Sequence, residues 1–411
     1  MGGVETYVEW LVQALQRGGH GVAVLGMAPA VDGRPLDTGS ARQFHVPTRA
    51  YTTGSWPSRA RDAAASVYSW NVGRRMANAL QEFAPDIVHF HGTCYQLTSS
   101  VVHAAQRAGV KRLATLHEYK LACANQRLWD DSRQAPCTAC VGAKAVSRRV
   151  APVRRRCIKS SLGASVIGSV EDGVASLAWR RDEDLMLHAP SQFMLTMMTR
   201  DGWNARRLFH LDLPWDVDSR QASAVARNQY LYMGRLAPEK DVETLLRAWG
   251  ISAEDTAGYE LVIAGDGAAS VSLKALSADL RLKRVRFVGK LDPDELRREL
   301  QVSTATLHPA AWYENSPMAV RESLSAGIPA LVARNGGMPE LVDDGKTGRI
   351  VNHSVQGWAA ALADLTANPL PRGERVREQV RVSRPDAAAH LDALLDRYES
   401  CRGVTRGSLR P

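Results

Sequence analysis

Short apolar runs alternate with amphipathic segments along this chain, and that alternation most restricts the folds it can adopt. Apolar strands that alternate with helices are typical of parallel sheets covered by helices. We therefore predict an α/β protein with two doubly wound halves. The predicted strands are Val22–Leu25, Ile87–Phe90, Arg112–Leu116, Leu185–Ala189, Tyr230–Met233, Glu260–Ala264, Val285–Val288, Ala305–Leu307 and Ala330–Ala333.

The length of 411 residues fits two domains of ordinary size. The polar segment Leu211–Ser223 contains Pro214 and is predicted to link them. We expect one domain over residues 1–215, a second over 216–385, and a terminal helix in 386–411. No apolar run reaches the roughly 20 residues that span a bilayer. The N-terminus lacks a signal peptide's basic stretch and apolar core, so a cytoplasmic protein is expected.

The segment from residue 308 to 351 predicts an anion-binding helix start. Ser316 is a favoured N-cap residue, Pro317 suits the first helical position, and Gly327 is typical of a helix end. The backbone N–H groups near Met318 and Ala319 would then face outward from the helix start. Such groups commonly bind phosphate.

Two carboxylates flank this predicted helix start. Glu314 precedes it, and Glu322 lies one turn beyond Met318 on the same face. A phosphate cradle between carboxylates suits a ligand that carries both phosphates and hydroxyls, such as a sugar nucleotide. Two glutamates at this spacing also occur by chance on solvated helix faces. The proline-started helix and the turn at Gly336-Gly337 favour the functional interpretation.

A second cationic element follows the strand Tyr230–Met233. Arg235 offers a fixed fork of donors for phosphate oxygens, and Lys240 adds a mobile point charge. Ligands of open α/β sheets bind at the carboxyl ends of strands, where this loop lies. The alternative is an ordinary basic surface loop.

Polar residues also end two strands of the first half. His91 follows one strand, and His117 with Glu118 follows the next. A lone histidine at a strand end is more often structural than catalytic. Gly2-Gly3 suggests a phosphate-approaching turn before a helix. Such a turn normally follows a strand, and no strand precedes this one in the sequence. Either the domain lacks that strand or, as we favour, an apolar strand is encoded upstream of Met1.

Four cysteines lie within a stretch of about 120–160 at the spacing C-x13-C-x2-C-x16-C. They are Cys123, Cys137, Cys140 and Cys157. The x2 pair is a metal-chelating spacing, and reduced thiols favour zinc over disulfides. We predict a structural zinc, with unrelated thiols as the alternative. Cys94 and Cys401 have no such spacing.

Positive charge concentrates between Ser147 and Lys159, in a chain of formal net charge +9. A solvated surface is the default interpretation of such a run, and contact with an anionic membrane is second. Nucleic acid is the least favoured partner, because neither a recognition motif nor interleaved aromatic residues accompany the run.

The segments 230–246 and 308–351 resemble the donor-binding region of retaining, nucleotide-sugar-dependent glycosyltransferases of family 4. These enzymes have the GT-B fold, in which two Rossmann-like domains face each other across a cleft and the last helix returns to the first domain. The resemblance implies catalytic positions at His117 and Glu314. It implies donor-binding positions at Gly3, Arg235, Lys240, Gly289, Ser316, Met318, Ala319 and Glu322. The family usually has glycine after the lysine, where this chain has Asp241.

Within the family pattern, Glu314 would contact the donor sugar and Glu322 the ribose hydroxyls. Arg235 and Lys240 would hold the pyrophosphate of a UDP- or GDP-sugar. Some relatives carry a similar cysteine-bearing insertion. The resemblance implies transfer to a hydroxyl acceptor, which could be lipid-linked, in polysaccharide, glycolipid or natural-product synthesis. It also implies retention without a divalent metal and leaves room for peripheral membrane contact.

Two other functions remain open at this level. A sugar phosphorylase of the same fold would place inorganic phosphate on the acceptor side. A degenerate, non-catalytic transferase would serve as a scaffold. The intact Glu314, Glu322, Arg235 and Lys240 count against the scaffold.

Overall fold

The computed structural model describes residues 3–28, 36–49, 55–93, 95–217 and 226–401. Their α-helices are α1 (Gly3–Arg17), α2 (Trp56–Val67), α3 (Trp70–Phe83), α4 (Ser100–Arg107), α5 (Ala145–Arg155), α6 (Leu162–Arg181), α7 (Gln192–Arg200), α8 (Val242–Ile251), α9 (Ser270–Asp279), α10 (Pro293–Val302), α11 (Met318–Ser325), α12 (Val355–Ala367), α13 (Glu374–Ser383) and α14 (Ala387–Ser400).

The strands of the same residues are β1 (Ala23–Ala28), β2 (Arg42–Pro47), β3 (Ile87–His91), β4 (Lys111–Thr115), β5 (Trp129–Asp130), β6 (Ala135–Pro136), β7 (Met186–Ala189), β8 (Leu208–His210), β9 (Gln229–Met233), β10 (Glu260–Ala264), β11 (Val285–Gly289), β12 (Ala305–His308), β13 (Ala330–Ala333) and β14 (Gly348–Val351). The chain divides into two compact units. The first comprises Met1–Arg133, Cys137–Leu213 and Ala388–Pro411, and the second comprises Gln134–Pro136 and Pro214–Ala387.

The second unit is a doubly wound parallel sheet. Its six strands run in the order β11-β10-β9-β12-β13-β14, and every neighbouring pair is parallel. All residues of β9, β12 and β13 are buried, as expected for strands covered on both faces. The strand order reverses between β9 and β12. Ligands of such sheets bind at this reversal, outside the carboxyl ends of the strands.

The first unit has a parallel sheet in the order β3-β4-β7-β8 and a separate parallel pair, β1-β2. Helix α14 belongs to this unit although it comes last in the chain. Its buried residues His390, Leu394 and Tyr398 pack with Tyr7 and Leu11 of α1. The two ends of the described chain therefore share one hydrophobic cluster.

The α/β prediction is confirmed, and each predicted strand is present. Glu260–Ala264 and Ala330–Ala333 match to the residue, whereas β1 extends three residues beyond the predicted Leu25. The strands β2, β5, β6, β8 and β14 were not predicted. They are short or, like β2, carry mainly exposed side chains, so no apolar run marks them.

The prediction that Ser316 caps the helix after β12 is wrong. Helix α11 begins at Met318, and its N-cap is Pro317, which makes no side-chain capping bond. Ser316 therefore lies one residue too early to serve as the cap. Its hydroxyl is buried and has no hydrogen-bond partner among the described residues. Asp241, which stands where the family usually has glycine, is the N-cap of α8, because its carboxylate accepts from the Thr244 N–H at 3.3 Å.

None of the helices in the described residues combines the length and apolarity needed to cross a bilayer.

Candidate functional site

The loop after β9 places the exposed side chain of Arg235 at the carboxyl edge of the second unit's sheet. Arg235 is 58% exposed, and its guanidinium donates to the buried carboxylate of Glu239 at 2.7 Å. The Tyr232 hydroxyl donates to the Arg235 carbonyl at 3.0 Å and fixes the backbone there. The guanidinium is therefore held at one side by Glu239 while much of it faces solvent.

Lys240, from the same loop, forms an ion pair with Glu314 from the loop after β12. Both side chains are largely buried, and the ammonium lies 5.3 Å from the centre of the Trp312 ring. Burial, and secondly the charge of Lys240, lower the pKa of His308 to about 3. The two strand-end loops meet because β9 and β12 are neighbours at the reversal of strand order.

The turn after β13 packs against the backbone of Glu314 and forms a hydrogen bond to it. The Gly337 N–H donates to the Glu314 carbonyl at 2.7 Å. Gly336 has φ +60°, and a Cβ placed there would lie 2.2 Å from that carbonyl oxygen, so only glycine fits. The Asn335 amide donates to the carbonyls of Ala310 and Ala311 at 3.1 and 3.2 Å, which ties this turn to the β12 loop.

The start of α11 offers hydrogen-bond donors close in sequence to this ion pair. The N–H groups of Met318 and Ala319 lie in the first turn, where a helix has no internal acceptors for them. Glu322 lies one turn further on. The surrounding protein desolvates its carboxylate and raises its pKa, although the side chain still reaches solvent. The arrangement provides donors for an anion and an acceptor for hydroxyls.

Gly289, which ends β11, belongs to the same edge of the sheet. Its carbonyl accepts from the Gly265 N–H at 2.7 Å, beyond the end of β10. A Cβ on Gly265 would lie 1.8 Å from the Gly234 carbonyl oxygen, so the loops after β9 and β10 touch backbone to backbone. Gly234, Gly265 and Gly289 thus follow one another along the carboxyl edge of β9, β10 and β11.

In the first unit, β3 and β4 bring two histidines together. The Nδ1 of His91 and the Nε2 of His117 are 3.0 Å apart. The ring of Tyr7 lies 5.7 Å from His91 and 5.5 Å from His117. Burial lowers the pKa of His117 to about 4 and that of His91 well below its usual value. Both rings are therefore neutral near pH 7, and one of the facing nitrogens donates to the other.

A series of hydrogen bonds between buried side chains near these rings fixes the tautomers of His188 and His89. His188 donates from Nε2 to the Leu211 carbonyl at 2.7 Å, so its Nδ1 accepts from the Thr115 hydroxyl at 2.9 Å. Thr115 must then accept from His89 Nε2 at 2.7 Å, which leaves His89 Nδ1 to accept from the Tyr398 hydroxyl at 2.7 Å. This hydrogen-bond series connects Tyr398 of α14 to β3 and β4, the strands that end at or just before His91 and His117.

Gly3 opens α1, and the start of this helix lies beside the end of β3. A Cβ placed on Gly92 would lie 3.9 Å from the Val4 side chain. Gly2 lies outside the described residues. Glu118 follows His117 with an exposed side chain, and desolvation raises its pKa. The predicted site residues of the first unit therefore lie at the ends of the adjacent strands β3 and β4 or at the start of α1.

Two family patterns together account for most of the chain. Residues 2–179 match the glycosyl transferase 4-like domain, and residues 216–382 match the glycosyl transferases group 1 domain. The chain belongs to the family 4 glycosyltransferases.

Similar proteins of full length agree with this assignment. The chain is 27% identical to a GDP-mannose-dependent alpha-mannosyltransferase of Mycolicibacterium smegmatis, over 99% of this chain and 96% of that protein. Sucrose-phosphate synthase from Thermosynechococcus elongatus has the same fold, with a TM-score of 0.68 and 16% identity over 97% and 94% of the two chains. The Anabaena protein HepE in complex with UDP gives a TM-score of 0.65 and 14% identity over 97% and 96%. The GT-B fold prediction is thereby confirmed.

The glycosyltransferase also contains residues whose roles the sequence did not reveal. Arg148 was counted with the basic surface run, but its side chain is 9% exposed. It donates to Asp172 at 2.8 and 2.9 Å and to Asp201 at 2.7 and 2.9 Å, and also to the Leu121 carbonyl. Arg148 therefore joins α5 to α6 and to the end of α7. Its two acidic partners lie 24 and 53 residues away in the chain, so no local pattern could have indicated them.

The four clustered cysteines of the glycosyltransferase are free thiols in one neighbourhood. Burial raises the pKa of Cys123, Cys140 and Cys157, and neighbouring thiols of the set raise each of them further. No three His, Cys, Asp or Glu side chains in the described residues are arranged to hold a metal ion. The thiol positions therefore give zinc no support, and zinc binding stays a prediction that the structure does not test.

Elemental analysis decides the zinc prediction. About one zinc per chain is expected in protein purified without chelator, because four thiolates can complete a tetrahedral structural site. Serine at both Cys137 and Cys140 should abolish it, and serine at Cys401, which lies outside the set, should not. A metal-free protein, or an unchanged zinc content in the double variant, would contradict the prediction.

Proposed function

We propose that this glycosyltransferase moves a sugar from a nucleotide-sugar donor to a hydroxyl acceptor with retention of configuration. The observation that carries the proposal is the meeting of Lys240 and Glu314 at the strand-order reversal of the second unit. An anionic ligand at this position would compete with Glu314 for the ammonium. The carboxylate would then be released towards the hydroxyls and anomeric carbon of a bound sugar.

Each end of such a donor has a chemically suited partner. Arg235, Lys240 and the N–H groups of Met318 and Ala319 would bind the diphosphate, since guanidinium, ammonium and helix-start donors all favour phosphate oxygens. Glu322 would accept from the ribose hydroxyls. The Ser316 hydroxyl, which is buried and has no hydrogen-bond partner among the described residues, is the next polar group towards Glu314 in the chain and would bind the donor phosphates. Gly289 would lie towards the base.

The reaction exchanges one carbon–oxygen bond for another on the same face of the sugar. The bond between the anomeric carbon and the phosphate oxygen breaks, and its electron pair leaves with the nucleoside diphosphate. The acceptor oxygen attacks from that face and passes its proton to the departing phosphate oxygen. Glu314 would oppose the positive charge that develops at the anomeric carbon, and Lys240 with Arg235 would neutralise the leaving diphosphate.

This account requires no divalent metal, because the chain itself supplies cations where the diphosphate would lie. Burial lowers the pKa of His117 to about 4 and makes its ring a weak base, so we assign it hydrogen bonding to a sugar hydroxyl rather than proton abstraction. The name of the mycolicibacterial relative and the UDP complex of the Anabaena protein support GDP and UDP as the first nucleotides to test. A hydroxyl on a growing polysaccharide or glycolipid would be the acceptor.

Replacing Glu322 by glutamine should weaken the binding of UDP or GDP by about 10- to 100-fold. A hydrogen bond to a charged group contributes about 1.5–3 kcal/mol, and the substitution removes the charge while keeping the shape. Titration calorimetry on the parent and on Glu322→Gln measures the effect. Glu254→Gln, at an exposed position of the same unit, is the matched control.

Unchanged nucleotide affinity in Glu322→Gln would remove the ribose role. If neither nucleotide bound the parent protein while inorganic phosphate did, a phosphorylase would replace the transferase as the best account of this site.

A further inference from the structure

Helix α6 carries a row of exposed apolar side chains along its 20 residues. Leu162, Val166, Val170 and Leu177 are 50%, 43%, 52% and 50% exposed. Their spacing of four, four and seven residues places them on one face of the helix. Single exposed apolar residues are ordinary, but a continuous row over a whole helix marks an interaction surface.

Helix α5 extends this surface. Val146 and Val150 are 75% and 42% exposed and lie one turn apart. Arg149, on the same face of α5, lies over α6, where a Cβ on Gly173 would be 3.3 Å from its Nε. The Ser169 hydroxyl donates to the Arg149 carbonyl at 2.5 Å. The apolar residues of the two helices therefore border each other at Arg149.

Helix α5 and the segment that joins it to α6 are strongly basic. The chain has eight lysines and arginines and no acidic residue between Asp131 and Glu171. Arg148 is buried, and Arg133 and Arg155 approach Asp130 at 2.8 and 3.5 Å. The exposed basic residues that remain are Lys144, Arg149, Arg154, Arg156 and Lys159.

The acidic residues of α6 do not offset this charge. Glu171 and Asp172 are both buried. Glu171 pairs with Lys120, and Asp172 pairs with Arg148. Neither carboxylate faces the exposed row, so the surface presents apolar side chains and cations together.

We propose that the basic–apolar face, formed by the exposed row of α6, Val146 and Val150 of α5 and the five exposed cations, docks on an anionic lipid bilayer. The apolar side chains would enter the boundary between headgroups and acyl chains, and the cations would contact lipid phosphates. Aliphatic residues beside lysine and arginine suit this partner. Nucleic acid does not fit, because the face has no aromatic residue on which bases could stack.

The experiment is co-sedimentation of the full chain with vesicles of phosphatidylcholine alone, and of phosphatidylcholine mixed with phosphatidylglycerol. Binding is expected only to the mixed vesicles and should weaken as salt is added. Replacing Arg154, Arg156 and Lys159 by alanine should lower the partition coefficient at least about tenfold, since each cation near the surface contributes to attraction. Replacing Val166 and Val170 by aspartate should also lower it at least about tenfold, because the apolar insertion is lost.

Matched control variants distinguish an effect of this face from a general effect of charge or exposed apolar residues. Lys274, Arg281 and Arg298 are exposed cations of the second unit, and Val271 and Val382 are its exposed valines. Alanine at the three cations and aspartate at the two valines should leave vesicle binding unchanged. The proposed nucleotide affinity plays no part in this readout, so failure of one proposal is distinguishable from failure of the other.

Equal binding to both vesicle types would overturn the proposal, as would binding that neither variant at the face reduces. Vesicle binding could also be absent while Val166→Asp with Val170→Asp abolishes self-association in analytical ultracentrifugation. The face would then be an interface between copies of this chain, and the lipid assignment would be wrong.

Discussion

Replacing Arg148 by alanine should lower the free energy of unfolding by about 3–5 kcal/mol, or prevent folding. Removing one partner of a buried ion pair leaves the other charge buried and uncompensated, and this loss typically has that magnitude. Two buried carboxylates bind this guanidinium: Asp172, which is 3% exposed, and Asp201, which is 1% exposed and also pairs with Arg180 at 2.5 Å. Burial raises the pKa of Asp201 even with Arg148 present, so its removal should favour the protonated acid.

Arg149 supplies the matched control one residue away. It has the same side chain on the same helix, but it is exposed. Arg149→Ala should therefore change stability little, because surface substitutions away from buried networks rarely matter. Urea unfolding followed by circular dichroism compares the two variants. Similar midpoints for both would show that the Arg148 network contributes no net stability.

A third variant keeps the test informative if Arg148→Ala does not fold. Arg148→Lys retains a positive charge but lacks the planar fork that serves two carboxylates at once. We expect it to fold with intermediate stability. A lysine variant as stable as the parent would mean that charge alone, rather than the hydrogen-bond geometry, holds α5 to α6 and α7.

The contrast between these neighbours shows what the sequence could supply. In the run SRRVAPVRRR, Arg148 and Arg149 are adjacent residues of the same type. Arg148 is buried and Arg149 is exposed because Asp172 and Asp201, which come later in the chain, pair only with Arg148. Long-range partners are not encoded in local spacing, so the surface interpretation failed for one residue and held for the other.

Strand positions were predictable where burial on both faces leaves an unbroken apolar run. Both β10 and β13 follow such runs and were placed to the residue. The short strand β14, with the charged Arg349 inside it, was missed. Similarly, the residue types of the proposed donor site were recognisable from sequence. The pairing of Lys240 with Glu314 was not, because it depends on β12 lying next to β9.

Replacing Lys240 by methionine should lower the turnover number by about 100- to 1,000-fold. This is the usual effect of removing one preorganised group that stabilises charge in a transition state. Methionine keeps most of the length and packing against Trp312 but cannot neutralise a leaving diphosphate. Lys274→Met, at an exposed position on α9, should retain full turnover. The donor for the assay is the nucleotide sugar that most raises the thermal midpoint of the parent.

Loss of activity could also come from leaving the Glu314 carboxylate without the Lys240 ammonium, since the Glu314 side chain is 10% exposed. Changing Lys240 to methionine together with Glu314 to glutamine removes both charges and should restore the thermal midpoint. Turnover should nevertheless stay low, because neither the cation nor the carboxylate is available to the reaction. A double variant with near-parental turnover would show that the ion pair serves only the fold.

The same reaction, followed by proton NMR, tests the mechanism that gives Lys240 its importance. The parent enzyme should form a product with the donor's anomeric configuration in the presence of excess chelator. Lys240, Arg235 and the start of α11 would already supply the charge that a divalent metal otherwise provides. An inverted product would exclude same-face attack. Activity that disappears with chelator and returns with magnesium would transfer the role of Lys240 to a metal ion, and the large effect of Lys240→Met would then need another cause.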